Sequence, residues 1–160
     1  MSTSKVKSGG PKKSRRLSRE FVLKGLYQRE LGGDAFELIE KHLQEDTDFK
    51  KADEVHFAAL LKGVIAQAEA LEAQISPLID RPITELSPIE RAILKLATYE
   101  LVNHLEIPYR VVINEAVELA KSYGGTDGYK YVNGVMDKLA AKVRAVEVNA
   151  NSSSQRPRGK

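Results

Sequence analysis

The chain has 160 residues, 42% of them hydrophobic, with 25 Lys/Arg against 22 Asp/Glu for a formal charge of +3, enough for one sizeable core and most simply a single domain. Cysteine is absent, which excludes a disulfide framework and Cys-ligated zinc or iron-sulfur sites; no apolar run approaches the ~20 residues of a membrane-spanning helix, and a soluble cytoplasmic protein without a secretory leader is expected. The charge is segregated: residues 1–19 hold seven Lys/Arg and residues 149–160 three more, neither stretch holds an acid, and the 15 remaining bases share the body with all 22 acids.

Residues 1–13, with Lys5, Lys7, Lys12 and Lys13 around Gly9-Gly10-Pro11, have no apolar face and are expected to be a disordered basic extension. Helical periodicity then starts, with Leu17, Phe21, Val22, Leu26 and Tyr27 recurring at three- and four-residue steps until Gly32-Gly33 stops the pattern. Asp34 and Glu37 carry a capping-box signature for a short helix through Phe36, Ile39 and Leu43. A seam at Phe57, Leu61, Val64, Ala68, Leu71 and Ile75 predicts one long helix ending before Pro77. Ser87, Pro88 and Glu90 then fill the N-cap, first and third positions of a helix that buries Ile89, Ile93, Leu96 and Ala97.

Pro108 opens the next helix, whose Val112, Ala116, Leu119, Ala120 and Tyr123 face inward before Gly124-Gly125 ends it. The last helix begins near Asp127 and buries Val132, Val135, Met136, Leu139 and Val143. The β-branched run Val111-Val112-Ile113 lies inside helical periodicity, so the class is all-α, a compact bundle of about six or seven helices. Residues 14–146 form the domain, and the polar residues 147–160 are expected to be a disordered tail.

Nothing points to covalent chemistry. His42, His56 and His104 are scattered and read as surface or helix-flank residues, no metal-ligand spacing occurs, and Tyr123-Gly124-Gly125-Thr126 follows a helix without the Lys-Ser/Thr of a phosphate loop. A binding protein, with no metal and no cofactor, is favoured over an enzyme.

Four segments carry a likeness: SRRLSREFVLKGLYQREL from residue 14, SPIERAILKLATYEL from 87, VINEAVELAKSYGG from 112 and KYVNGVMDK from 130. In this order and spacing the chain, from about Arg15 to Val143, resembles the NusB family of bacterial transcription antitermination factors. The resemblance implies two packed three-helix bundles and an adaptor that, with the ribosomal protein NusE, binds the single-stranded boxA element of nascent ribosomal RNA. RNA polymerase and other Nus factors are the implied wider assembly, and a homodimer stays open. The alternatives are an RNA-recognition module like that of ribosomal RNA cytosine methyltransferases, and a generic helical protein-interaction domain. For the first, the chain has neither a catalytic Cys nor room for a methyl-donor domain.

Beside that resemblance, Arg15, Arg16 and Arg19 fall three and four residues apart, so three guanidiniums are expected on one helical face, where their forks suit phosphates. Tyr27 supplies either a ring on that side or half-buried core. Tyr131, beside Lys130 near a helix start, is the better stacking candidate. Lys121 reads as an RNA contact or as a cation placed by the helix dipole; Asn133 contacts RNA or caps a loop; Asp127, an N-cap beside this surface, repels phosphate. Gly134 suggests a close helix approach and Asn114 a buried polar bond. The protein partner is expected on a separate surface of the middle helices with Glu90 as its contact, although Glu90 also completes the capping box, while Arg91 and Glu100 carry no assigned role.

Overall fold

The computed structural model describes residues 13–154, and the expectations for residues 1–12 and 155–160 lie outside them. Eight α-helices occur among the described residues: α1 Arg15–Gly32, α2 Phe36–Leu43, α3 Glu54–Ala66, α4 Ala68–Ile75, α5 Pro88–Asn103, α6 Tyr109–Tyr123, α7 Gly128–Val143 and α8 Ala145–Ser154. Helices α1, α2 and α3 all touch one another, as do α5, α6 and α7, giving the two three-helix groups. Helix α5 also packs on α1, α3 and α4, and so joins the halves.

Local chemistry accounts for most of the helix ends. Ser14 caps α1, its Oγ accepting from the Leu17 amide at 3.0 Å, and Gly33 closes it at φ 71°, a left-handed geometry that glycine adopts without strain. Ser87 Oγ accepts from the Glu90 amide at 3.1 Å, with Pro88 in the first turn of α5. Pro108 and Asp127 precede α6 and α7 as expected.

Three expectations about elements are corrected. Asp34 does not cap α2: Ala35 holds that position, and the Asp34 carboxylate accepts from Gln28 Nε2 at 2.9 Å. The long seam divides at Gln67 (φ −108°, ψ 18°) into α3 and α4, a turn that lets both helices follow the surface of α5. The chain does not become a structureless tail at 147 either, because α8 continues to Ser154. Arg144 Nε donates to the Leu101 carbonyl at 2.7 Å, its Nη1 meets Glu147 at 2.6 Å, and Glu147 Oε2 accepts from the Tyr109 amide at 2.9 Å. Helix α8 therefore starts on a partly buried cross-link that also caps α6.

The core is continuous through both groups. In the first, Phe49 meets Phe21 and Phe57 edge-on at centroid distances of 5.1 and 5.0 Å, with Val22, Leu60 and Leu61 fully covered. In the second, Leu94, Leu101, Val112, Ala120, Val132 and Met136 close the α5–α6–α7 interior. Helices α3 and α5 approach at Gly63, where a Cβ would collide with the Tyr99 ring. By contrast Gly134 is exposed with nothing within 4 Å of a Cβ position, so no close approach explains it, and Asn114 is exposed instead of buried.

A polar cluster is enclosed in this core. Arg19, 5% exposed, forks onto Glu100 with Nε–Oε1 2.8 Å and Nη2–Oε2 2.9 Å, and His56 Nε2 lies 3.0 Å from the same carboxylate. His56 is thus an interior residue, against the expectation for the histidines. Burial pushes the Glu100 carboxyl up, but hydrogen bonds from His56 and Arg19, with the arginine charge, outweigh it and hold the group below the usual carboxylate range.

Candidate nucleic-acid interface

The start of α1 is stitched to the start of α3. Ser14 donates its amide to the Lys51 carbonyl at 2.8 Å and accepts from the Asp53 amide at 3.0 Å, while Ser18 Oγ donates to the Asp53 carbonyl at 2.6 Å. This brace holds the first turn of α1 rigidly, with Arg15 and Arg16 projecting from it. No acid stands in that turn, although a helix N-terminus favours negative charge. The two cations therefore sit where the helix itself disfavours them, and a bound anion would gain from both the cations and the dipole.

Arg15 Nε is 3.5 Å from Asp53, with the arginine side chain 47% exposed. Arg16, 62% exposed, reaches across to α6 and forks onto Glu115, with Nε–Oε1 3.0 Å and Nη2–Oε2 2.8 Å. Arg19 does not share their surface: the expectation of three outward guanidiniums is corrected, because one face of the helix turns inward at Ser18–Arg19 and Glu100 waits there. Its remaining nitrogen, Nη1, points to Glu115 at 3.9 Å.

The other predicted cations lie where α6 ends and α7 begins. Lys121, half exposed beside Glu118 at 3.8 Å, has its Nζ 5.2 Å from the Tyr129 ring centroid, and Lys130 Nζ approaches the same ring at 6.0 Å. Asp127 is exposed and stands 3.5 Å from Lys130 Nζ; its carboxylate makes no capping hydrogen bond, so the expected N-cap is positional only. Tyr123 Oη donates to Glu20 of α1 at 3.2 Å, which ties this end of α6 to the helix carrying Arg15 and Arg16.

Tyr131 is half-buried beneath the turn before α5, its hydroxyl donating to Asp80 at 3.3 Å and its ring covered by the Arg81 guanidinium at 5.1 Å. Burial raises its phenol above the usual range, and the Asp80 charge adds to this. Asn133 is exposed on α7 and lines a shallow depression with Arg110, Asn114 and Asp137. Tyr27 stands apart: 39% exposed, it borders a groove between α1 and α2 with Phe21, Lys24, Leu31 and His42. Glu90 is half-buried against the first residue of α7, its Oε2 2.7 Å from the place of a Gly128 Cβ. It therefore borders the α7 end of the basic surface, so the expected separation of the partner surface from the RNA side does not hold at this residue.

Three participants escape sequence reading. Glu115 answers Arg16 from 99 residues away, so no local spacing announces it. Arg81 reaches Tyr131 across 50 residues. Tyr129 adjoins Lys130 in the chain, and that adjacency is a signal equal to the one that singles out Tyr131. Among the described residues no helix is long and apolar enough to cross a membrane, and no cluster of His, Asp and Glu fit to hold a metal occurs.

Known proteins resemble the chain over most of its length. The NusB family model matches residues 16–141. The transcription antitermination protein NusB of Paraburkholderia phymatum is 56% identical over 144 residues, covering 90% of this chain and 99% of that protein. The same protein of Thiobacillus denitrificans is 54% identical over 135 residues, covering 84% and 93%. Among solved structures, T. maritima NusB aligns with a TM-score of 0.72 at 33% identity over 82% of this chain and 94% of that one. A complex of the antitermination factors NusB and NusE with double-stranded RNA aligns at 0.70 and 24% identity over 78% and 94%, a likeness of fold.

Proposed function

The chain belongs to the NusB family, and from that premise we propose that it is an RNA-binding transcription antitermination factor which, with NusE, binds boxA of nascent ribosomal RNA and promotes read-through by RNA polymerase together with other Nus factors. The observation that carries the RNA side is the braced first turn of α1, where Arg15 and Arg16 are held outward with no acid in the turn. The protein works in the cytoplasm by binding, and carries out no covalent step.

A single strand running from α1 towards the α6–α7 turn places phosphates at Arg15 and Arg16 and further backbone at Lys121 and Lys130. Unstacked bases meet the ring of Tyr129 and, by displacing the Arg81 guanidinium that covers it, that of Tyr131, the mode in which charge and stacking together hold single-stranded RNA. Asn133 stands at the margin of that path, while Tyr27, in the groove between α1 and α2, is reached only by a strand that continues along α1. Arg19 is a positioning residue in this reading: it fixes α1 against α5 and touches no RNA. Titration of the purified chain with a boxA-type RNA oligonucleotide and a scrambled one, with and without NusE, tests the proposal. Preference for boxA that NusE strengthens is expected, and equal weak binding of both RNAs under both conditions refutes it.

Glu90 is proposed as a contact of NusE, the basic partner that an acidic body attracts. Since the backbone amide of Glu90, not its carboxylate, meets Ser87 Oγ, Glu90→Gln keeps the helix start. Weaker NusE binding at unchanged thermal stability is expected by calorimetry, and unchanged binding removes Glu90 from the interface.

A further inference from the structure

The fork of Arg16 is already occupied in the free protein. Glu115 lies on α6, its side chain only 15% exposed, and presents both oxygens to Arg16 in the planar, two-bond arrangement in which guanidinium also takes a phosphate. We propose that Glu115 is an internal competitor that stands in the place of an RNA phosphate, so that RNA gains Arg16 only by displacing it; this rests on the reading of Arg16 as a phosphate contact.

Three features of the geometry favour competition over a purely structural pair. Arg16 is mostly in solvent, and an ion pair with such a member adds little to stability. Its guanidinium end is hydrogen-bonded to the Glu115 carboxylate, while Glu20 and Glu118 act on it through charge alone, so releasing one carboxylate frees it to swing. Glu115, in contrast, keeps a second cation at hand: Arg19 Nη1 is 3.9 Å away and immobile, because Arg19 is clamped on Glu100. When Arg16 turns to a phosphate, the carboxylate is left beside Arg19 and is not stranded. The exchange replaces one charged fork by another and leaves a counter-charge for the group displaced.

The test is a double-mutant cycle read by RNA affinity. In the otherwise native chain, Glu115→Gln keeps the shape and one acceptor oxygen but removes the charge, and is expected to tighten binding of a boxA-type RNA oligonucleotide about two- to fivefold, the range of exposed ion pairs. In an Arg16→Gln background the same substitution is expected to give no gain. Glu115→Ser, which also withdraws the side chain, must act in the same direction, and thermal melts confirm that each variant is folded. Unchanged or weaker binding by folded Glu115→Gln, with Arg16→Gln still weakening the complex, overturns the competitor while leaving Arg16 as an RNA-binding residue. A gain that persists without Arg16 also overturns it, since Glu115 then repels RNA directly. If Arg16→Gln alone leaves RNA affinity unchanged, the reading of Arg16 fails, and the competitor falls with it.

Discussion

Arg16 and Arg19 are three positions apart and have opposite fates. Arg19 is enclosed, and removing it leaves the Glu100 carboxylate buried with His56 as its remaining partner. Arg19→Gln is expected to cost about 3–5 kcal/mol in urea denaturation, whereas Arg16→Gln, on an exposed pair, costs about 1 kcal/mol or less. The pH dependence follows from Glu100, whose carboxyl is held down in the fold. A group lowered in this way contributes stability that is complete above its unfolded pKa and is lost as pH falls through the folded one. Denaturation midpoints should therefore drop as pH falls below ~4.3, the ordinary value for Glu, and Glu100→Gln, itself destabilised at neutral pH, should flatten that part of the profile. Asp127 offers the complementary experiment at the surface. Its carboxylate caps nothing and neutralises Lys130, so Asp127→Asn should tighten RNA binding about twofold at an unchanged melting temperature; weaker binding by the folded variant contradicts this account.

The helices whose limits are legible in the sequence are those with local punctuation. Gly32-Gly33 ends α1, Ser87-Pro88 starts α5, and Pro108 precedes α6, because caps and fixed φ angles act within one turn. The break at Gln67 has no such mark: the apolar seam runs on through it, and only the surface of α5 decides where the chain bends. Helix α8 is hidden for the same reason. Its apolar residues Val146, Val148 and Ala150 recur at every second position instead of in a helical stripe, and it is ordered by Arg144 reaching carbonyls at the end of α5, by Glu147 capping α6 and by Val148 packing on the core. Glu147→Ala should consequently cost about 1 kcal/mol, as for the loss of an N-cap, and a chain truncated after Arg144 should melt below the intact one. A chain truncated after Ser154 should melt with it. Equal melting temperatures for all three chains would show that the cap carries no stability.

For the whole molecule, the contrast between a basic front and an acidic body is legible from composition, and so are Lys121, Lys130 and Tyr131 as neighbours of a helix start or end. What composition hides is that the folded surface neutralises itself: Arg15 has Asp53, Arg16 has Glu115, Lys121 has Glu118 and Lys130 has Asp127. These acids are distant in sequence, or look like ordinary helix charges. Replacing Arg15 and Arg16 together by Gln should lower the salt dependence of single-strand binding by about 0.7 in slope for each phosphate no longer neutralised, while helicity barely changes. Deleting residues 1–12 should remove a nonspecific attraction that fades at high salt and leave boxA discrimination intact. Failure to discriminate after that deletion, with discrimination kept when the two arginines are neutralised, would make the front segment the recognition element.

The enclosed Arg19 also sets an order of events during synthesis. Its carboxylate partner is 81 residues further along the chain, so the first helix leaves the ribosome long before the group that can accept its burial exists. Until Glu100 has emerged, the α1–α3 half lacks both that counter-charge and the Tyr99 ring that packs on Gly63. A nascent chain stalled ahead of α5 should keep Arg19 in water and remain sensitive to protease, and protection should arrive abruptly once α5 clears the tunnel.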